Sequence, residues 1–358
     1  MVLKPLTGLR GLAALVVFLA HYAYNAQVPA FNTFYYIFFW HSEAVDFFFV
    51  LSGFVLCYAY SVDSNNINWK KYITARISRV YPLYLFSLLF VSALGFLAAL
   101  KRGYWASDLL FEDFIRQLFM VNAFPLIGTG RHWNFPAWSI SVEFFLYLFV
   151  FPIAVYISRV SNSFIMITSI IFFSFLSYGV HNNFFGEMTW LDQVIFRGIF
   201  GFLSGSIVYL FYKKKRKITD FFQKKGDLFF LFFLVVVLFS GYGKLSFSLL
   251  IFLFPALVLS LTAEESLSAK FFATSGMVFL GDISYSIYLF HIPISKFLLG
   301  IYSDFSSDHP MIWVLLTLFL VISSSALLYT KLELPAKRIF AVRIASILDA
   351  IPKIYKNA

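Results

Sequence analysis

Charge is what this chain has least of. Charged residues make up 13% of its 358 positions and hydrophobic residues 60%, whereas about a quarter of a water-soluble globular domain is charged. Such a composition belongs to an integral membrane protein, and no long polar segment remains from which to build a large solvated domain. Cysteine is nearly absent: Cys57 stands alone among apolar neighbours, which excludes a disulfide framework and a cysteine metal cluster. Histidine is sparse too, and none of the six pairs at the i, i+4 spacing of a helical zinc site, so no metal is expected. Acidic residues are outnumbered by basic ones, for a net charge of +10. In a membrane protein this excess needs no nucleic-acid partner; it signals topology and contact with anionic lipid.

What the chain has in abundance is aromatic and aliphatic surface, with 49 Phe and 21 Tyr. A bilayer core of roughly 30 Å takes about 20 apolar helical residues. Windows of that kind fall near 7–28, 34–60, 80–100, 137–157, 163–180, 190–212, 226–243, 245–263, 276–299 and 311–333, so the expected architecture is an all-α polytopic membrane protein of about ten spans. The first window lacks an A-x-A-like cleavage site and is read as a retained span rather than a secretory signal. Of the 28 Lys and Arg residues, only Lys101, Arg102, Arg116, Arg131, Lys244 and Lys296 fall in outside segments when the N-terminus is cytoplasmic. Both termini are therefore expected inside. Residues 1–335 form the expected transmembrane domain and 336–358 a basic amphipathic cytoplasmic tail. The long outside loop, 101–136, carries "DLLFEDFIRQLF", whose Leu110, Phe114, Leu118 and Phe119 share one helix face suited to the outer interface. No internal repeat of the kind that marks many secondary transporters is present.

Ionisable residues inside spans are costly and therefore candidates for function. In "LTGLRGLAALVVFLAHY", Arg10 and His21 return to nearly the same helix face about 16 Å apart. They are either a snorkelling anchor and a packing residue or the two ends of a functional stripe. The second span, "FFWHSEAVDFFFVLSGF", holds His41, Glu43 and Asp46, too many titratable groups for a lipid-facing helix, followed by Ser52 and Gly53, small residues that suit close packing. "NWKKYITARISRVYP" places Arg76 and Arg79 at i, i+3 beside Lys70 and Lys71, and guanidinium suits bidentate phosphate binding better than ammonium does. In "NFPAWSISVEFFLYLFVFP", Glu143 lies at about the depth of His21, where it would orient an imidazole acting as a base, or would brace Trp138, Ser139 or Asn134. "GDISYSIYLFHIPI" runs Tyr285, Tyr288 and His291 along one span, as interface aromatics or as cavity lining.

Taken together these segments resemble the acyltransferase-3 family of membrane acyltransferases across nearly the whole chain. "LTGLRGLAALVVFLAHY" is similar to the family's opening basic-to-His motif, "VDFFFVLSGF" to its second-span motif and "RISRVYP" to its cytoplasmic Arg-x-x-Arg. "PAWSISVEFFLY" resembles its Trp-Ser-x-Ser-x-Glu, "GDISYSIYLFHIP" a late span, and "LELPAKRIF" loosely its closing Glu-x-Pro. The resemblance implies an O-acyltransferase of a plasma (bacterial inner) membrane. It would move an acyl group, usually acetyl, from cytoplasmic acyl-CoA to a hydroxyl of a cell-surface or lipid-linked glycan. Acetyl-CoA would be a co-substrate, with no permanently bound cofactor, and a separate extracytoplasmic transferase could complete the transfer. Catalysis would fall to His21, Glu143 and Asp46, donor phosphates to Arg10, Arg76 and Arg79, and cavity lining to Ser52, Trp138, Ser139, Tyr285, Tyr288 and His291. The alternative is a secondary transporter or flippase of a glycan or small solute, which needs similar buried polar residues and consumes no thioester.

Overall fold

The computed structural model describes residues 3–26, 40–60, 67–106, 109–124, 126–129, 133–158, 162–186, 188–214, 217–263, 265–301 and 309–356. Among these residues the secondary structure is helical, with no strand. The helices are α1 (Lys4–Ala26), α2 (His41–Tyr60), α3 (Trp69–Arg102), α4 (Phe111–Leu118), α5 (Ala137–Phe145), α6 (Phe151–Ile157), α7 (Ser163–His181) and α8 (Trp190–Lys213). They continue with α9 (Lys217–Lys224), α10 (Gly226–Gly241), α11 (Leu250–Ser260), α12 (Leu267–Phe272), α13 (Ser275–Asp282), α14 (Ser284–Ile301), α15 (Pro310–Leu328) and α16 (Leu334–Lys356). Among the described residues, seven segments are long and apolar enough to cross a membrane, or eight if α13 and α14 form one span bent by 63°. Two further apolar helices, Gly226–Gly241 and Phe247–Ser260, are shorter. The protein is thus a multi-pass helical membrane protein. Residues 27–28 and 34–39 of the expected first two spans lie outside the described residues.

Local signals set several helix ends. Asn68 accepts the Lys71 N–H at the start of α3, and Gly103, at φ 80°, closes it by donating to Ala99. Thr189 accepts the Asp192 N–H at the start of α8, and Ser266 that of Ala269 at the start of α12. The expected boundary at residue 335 falls just inside α16, which packs along α3 with Tyr81 against Phe340, ring centroids 6.4 Å apart.

The enclosed centre is made by α1, α2 and α8, while α3, α7 and α15 turn side chains such as Leu97, Phe172 and Phe319 outward. α2 and α8 touch backbone to backbone. A methyl group on Gly53 would fall on the Phe202 carbonyl, and one on Gly205 on the Val50 carbonyl, so of the small pair in the second span Gly53 serves close packing.

Proline shapes the helices near this centre. Its ring clashes with the carbonyl four residues back, and it gives the ladder no N–H. Pro152 and Pro335 each follow closely on a π-helical turn, Leu146–Val150 and Tyr329–Glu333, and the wider turn accommodates the ring. Tyr147, five residues before Pro152, has a carbonyl that accepts the Tyr72 hydroxyl at 2.9 Å. Leu289, four residues before Pro293, has a carbonyl that accepts the Asn134 amide at 3.0 Å. At the break between α13 and α14, the Gly281 carbonyl accepts Arg10 Nε at 3.1 Å, Arg10 Nη2 at 2.5 Å and the Ser284 hydroxyl at 2.7 Å.

The long loop between α3 and α5 folds around polar contacts. α4 buries Asp113 and Gln117 and leaves Phe111 and Phe119 exposed. Gln117 accepts the N–H groups of Trp133 and Asn134 and donates to the Asn134 carbonyl, and Asp113 accepts from Thr129 and Arg116. The apolar side faces away from the bundle, the orientation expected of a helix lying in an interface.

Gly205→Leu is expected to remove most of the monodisperse protein seen by size-exclusion chromatography in detergent, because overpacking at a backbone contact costs about 3 kcal/mol or more. Gly276→Leu is the control, since a Cβ there meets no neighbour within 4 Å. Equal recovery of the two variants would refute the close approach of α2 and α8.

Candidate active site

A cavity of about 160 Å³ opens among α1, α2, α3, α5 and α14, with room for several waters' worth of substrate atoms. The residues at its wall come from distant parts of the chain. Arg10, Arg76 and Arg79 line it, as do Ser52, Ser139, Glu143, Tyr285 and Tyr288.

The arginines are not equivalent. Arg10 chelates the Gly281 carbonyl and so caps the broken helix. Arg79 forms an ion pair with Glu333, a buried carboxylate at the end of the second π-helical turn that also accepts Ser286 Oγ at 3.1 Å. Two of the three expected phosphate ligands thus already hold protein groups, and a buried carboxylate without such a partner would be strongly disfavoured. Arg76 differs. Its guanidinium lies over the Tyr60 and Tyr147 rings at 5.6 and 5.7 Å, and its buried Nε has no hydrogen-bond partner. Glu333 was missing from the set of sequence candidates; the signal for it was the loosely matched Glu-x-Pro.

Glu143, one turn beyond Ser139 on α5, accepts Ser52 Oγ at 2.9 Å and the Tyr147 hydroxyl. Sequence reasoning pairs Glu143 with His21; the structure gives its carboxylate to Ser52 and Tyr147 and places His21 among other imidazoles. His21 Nδ1 lies 2.9 Å from the Val17 carbonyl, and His291 Nδ1 lies 2.7 Å from that of Tyr288. A carbonyl only accepts, so each Nδ1 carries a proton, and in the neutral ring Nε2 holds the lone pair. His291 Nε2 is 3.4 Å from His21 Nδ1, and the His41 ring is centred 5.1 Å from that of His21. Helices α1, α2 and α14 thus bring three imidazoles together.

Asp46 belongs to a separate cluster. Arg197 reaches it through two bonds of 2.9 Å and also binds Ser42, while His181 Nε2 lies 3.1 Å from Glu43. The catalytic role expected of Asp46 therefore meets a carboxylate already engaged by a buried guanidinium and absent from the cavity wall. Arg197, inside α8, was the sequence's sign that such a partner was needed. Of the other candidates, Ser139 donates to the Tyr288 hydroxyl at 2.7 Å and Tyr285 to the Val80 carbonyl at 2.8 Å. Trp138 packs edge to face on Trp190 with centroids 5.2 Å apart, and it does not line the cavity.

Fold and site together define a polytopic helical membrane protein with an arginine-lined intramembrane cavity next to a histidine cluster. The sequence profile of a family described as an acyltransferase domain matches residues 4–330, and the chain belongs to this acyltransferase-3 family. It is 34% identical over 158 residues to acyltransferase MdmB of Streptomyces mycarofaciens, a match covering 42% of this chain and 38% of the relative's length. A provisionally named acetyltransferase, ORF330 of Acidianus two-tailed virus, is 26% identical over 293 residues, or 75% of this chain and 79% of that protein. No solved structure matches the chain.

Asp46→Ala leaves Arg197 buried without its counter-charge, and breaking such a pair costs about 3–5 kcal/mol. A lower thermal midpoint in detergent is expected, partly restored in Asp46→Ala/Arg197→Met. An Asp46→Ala protein as stable as the parent would show the pair to be unimportant to folding.

Proposed function

We propose that the protein is an O-acyltransferase. It takes an acyl group, acetyl by default, from acyl-CoA on the cytoplasmic side and delivers it to a hydroxyl of a cell-surface or lipid-linked glycan. The observation that carries this reading is the cavity: guanidinium groups line it together with Glu143, and the imidazoles stand next to its wall at Tyr288. The viral relative's name supports acetyl as the group transferred. On this reading both termini are cytoplasmic, the site lies in a plasma membrane, and a separate extracytoplasmic transferase is a partner for some acceptors.

The donor's phosphates are polyanionic and stay at the membrane surface, whereas its thin pantetheine arm can enter a protein-lined channel. Arg76 is the group best suited to an anionic part of the donor, because its Nε is buried without a partner. Arg10 and Arg79 add positive potential while holding Gly281 and Glu333. In the reaction the thioester C–S bond breaks and a C–O bond to the acceptor forms. The hydroxyl proton passes to a base and then to the departing thiolate. His21 Nε2 serves as that base, or attacks the thioester to carry the acyl group transiently. Glu143, fixed by Ser52 and Tyr147, adds negative charge to the cavity wall near the reacting centre.

The test is transfer of labelled acetyl from acetyl-CoA, supplied to the cytoplasmic face of membranes, into retained macromolecular or lipid-linked glycan. His21→Ala, at matched protein level, is expected to lower the rate by about 10²–10⁴-fold. Arg76→Ala is expected to raise the KM for acetyl-CoA by about tenfold, with a smaller effect on kcat. A wild-type protein that leaves every acyl-CoA intact while glycan or solute crosses the membrane would replace this reading with transport.

A further inference from the structure

His21 on α1 and His291 on α14 meet where the two helices pack together. Each ring folds back along its own helix. His21 Nδ1 lies 2.9 Å from the Val17 carbonyl, and His291 Nδ1 lies 2.7 Å from the Tyr288 carbonyl and 3.3 Å from that of Ile287. These carbonyls hold a proton on Nδ1 of both rings, so the lone pair of neutral His291 is on Nε2. That nitrogen stands 3.4 Å from His21 Nδ1. The contact therefore has a direction: the His21 Nδ1–H is shared between the Val17 carbonyl and His291 Nε2, and His291 is the acceptor.

The two imidazoles differ in burial. His21 is half-buried, and its ring lies edge to face with Phe135, which is 43% exposed. His291 is 1% exposed, and the Phe18 and Tyr288 rings pack on it with centroids 6.4 and 5.9 Å away. A ring nitrogen buried so completely needs a partner, and for His291 Nε2 that partner is His21. Of the pair, His21 is the one a substrate can reach, and His291 acts only through it.

We propose that His291 is the positioning residue for His21: it accepts the Nδ1–H and so takes the part that the carboxylate plays in a Ser-His-Asp arrangement. The assignment rests on the reading above in which His21 Nε2 is the base. Sequence reasoning gives that part to Glu143, whose carboxylate is instead held by Ser52 and Tyr147. As the acceptor oxygen bonds to the thioester carbon, its proton moves to His21 Nε2 and the ring becomes a cation. The C–S bond then breaks, and the proton passes from Nε2 to the thiolate sulfur. His21 ends neutral with its Nδ1 proton in place, and His291 neither gains nor loses a proton. What His291 supplies is a hydrogen bond that strengthens while the cation exists. A separation of 3.4 Å suits this role, because such bonds are long in the resting enzyme and tighten as charge develops. An interaction that grows only with the charge on His21 favours the transition state over the bound donor, which places its effect in kcat rather than KM.

Two amide substitutions separate the two nitrogens of His291. In His291→Gln the amide reaches the place of Nε2 and offers His21 an acceptor oxygen. In His291→Asn it reaches the place of Nδ1, so it keeps the contact with the Tyr288 carbonyl and leaves His21 without its acceptor. The full chain is assayed in membranes, at matched protein level, with labelled acetyl-CoA and the glycan acceptor. His291→Asn is expected to lower kcat by about 10–100-fold with little change in the KM for acetyl-CoA, and His291→Gln to remain several-fold more active than His291→Asn. An Asn variant as active as the Gln variant, or more so, would show that only the tie to the helix backbone matters and would overturn the proposal. If both variants fold poorly, the same substitutions are made in His21→Ala protein, where an effect exerted through His21 disappears. A loss of equal size in the two backgrounds would mark a purely structural role and overturn the proposal while leaving acyl transfer intact. A parent protein that transfers no acetyl group would instead overturn the acyl-CoA reading, and this inference with it.

Discussion

In a hydrocarbon environment a carbonyl released from its helix ladder has no water to turn to, and leaving it unpaired costs several kcal/mol. Much of the centre of this protein is organised around such carbonyls. Pro293 withholds the N–H that Leu289 would have received, and Asn134, just before α5, supplies one. Pro152 follows a π-helical turn, and Tyr72 reaches across to the Tyr147 carbonyl. The break between α13 and α14 releases Gly281, and Arg10 takes it. Each irregularity is repaired by a side chain from a distant part of the chain, which ties α1 to α13, α3 to the π-helical turn after α5, and the residues just before α5 to α14. The cavity lies among these same helices.

The second organising constraint is the burial of charge. A guanidinium or carboxylate removed from water needs a partner of opposite sign or a full set of hydrogen bonds. Two ionic clusters meet this requirement in different ways. Around Asp46 and Arg197 the charges are enclosed, joined by two short bonds and backed by Ser42, which locks α2 to α8 at the level of the Glu43–His181 contact. Around the cavity the balance is looser. Arg79 has Glu333, Arg10 holds a carbonyl, and Arg76 has two aromatic faces, the Tyr60 hydroxyl at 3.4 Å and a buried Nε without a partner. On the proposed acyl-CoA reading, the difference separates a structural cluster from one open to the donor's anionic groups.

The histidines occupy the ground between the two clusters. His41 stands next to Ser42 at the start of α2, and His291 follows Tyr288 by one turn on α14, so His21 is flanked from both sides. Carbonyl contacts at Nδ1 fix which nitrogen of His21 and of His291 carries the lone pair. Orientation of the imidazoles thus comes from helix backbone rather than from the carboxylate that a serine-protease-like scheme would lead one to seek.

Composition and hydropathy by themselves determined that this is a helical membrane protein, because long apolar runs have one stable solution in a bilayer. They also marked most of the helices and, through an uncommon set of polar residues in apolar surroundings, most of the polar residues now found at the cavity: Arg10, Ser52, Arg76, Arg79, Ser139, Glu143, Tyr285 and Tyr288. Local signals such as prolines were visible too, but their consequence was not, since which side chain answers a freed carbonyl depends on a neighbouring helix. Only the tertiary structure decided the partners. Arg79 meets Glu333 across 254 positions and Arg197 meets Asp46 across 151, and nothing in the helical period of either segment says which face of one helix turns toward which face of another. Residue type and depth are properties of a single helix and are written in its sequence. Azimuth and pairing arise when many helices pack at once, and they turned Asp46 from a catalytic candidate into half of an ion pair and gave Glu143 to Ser52 and Tyr147.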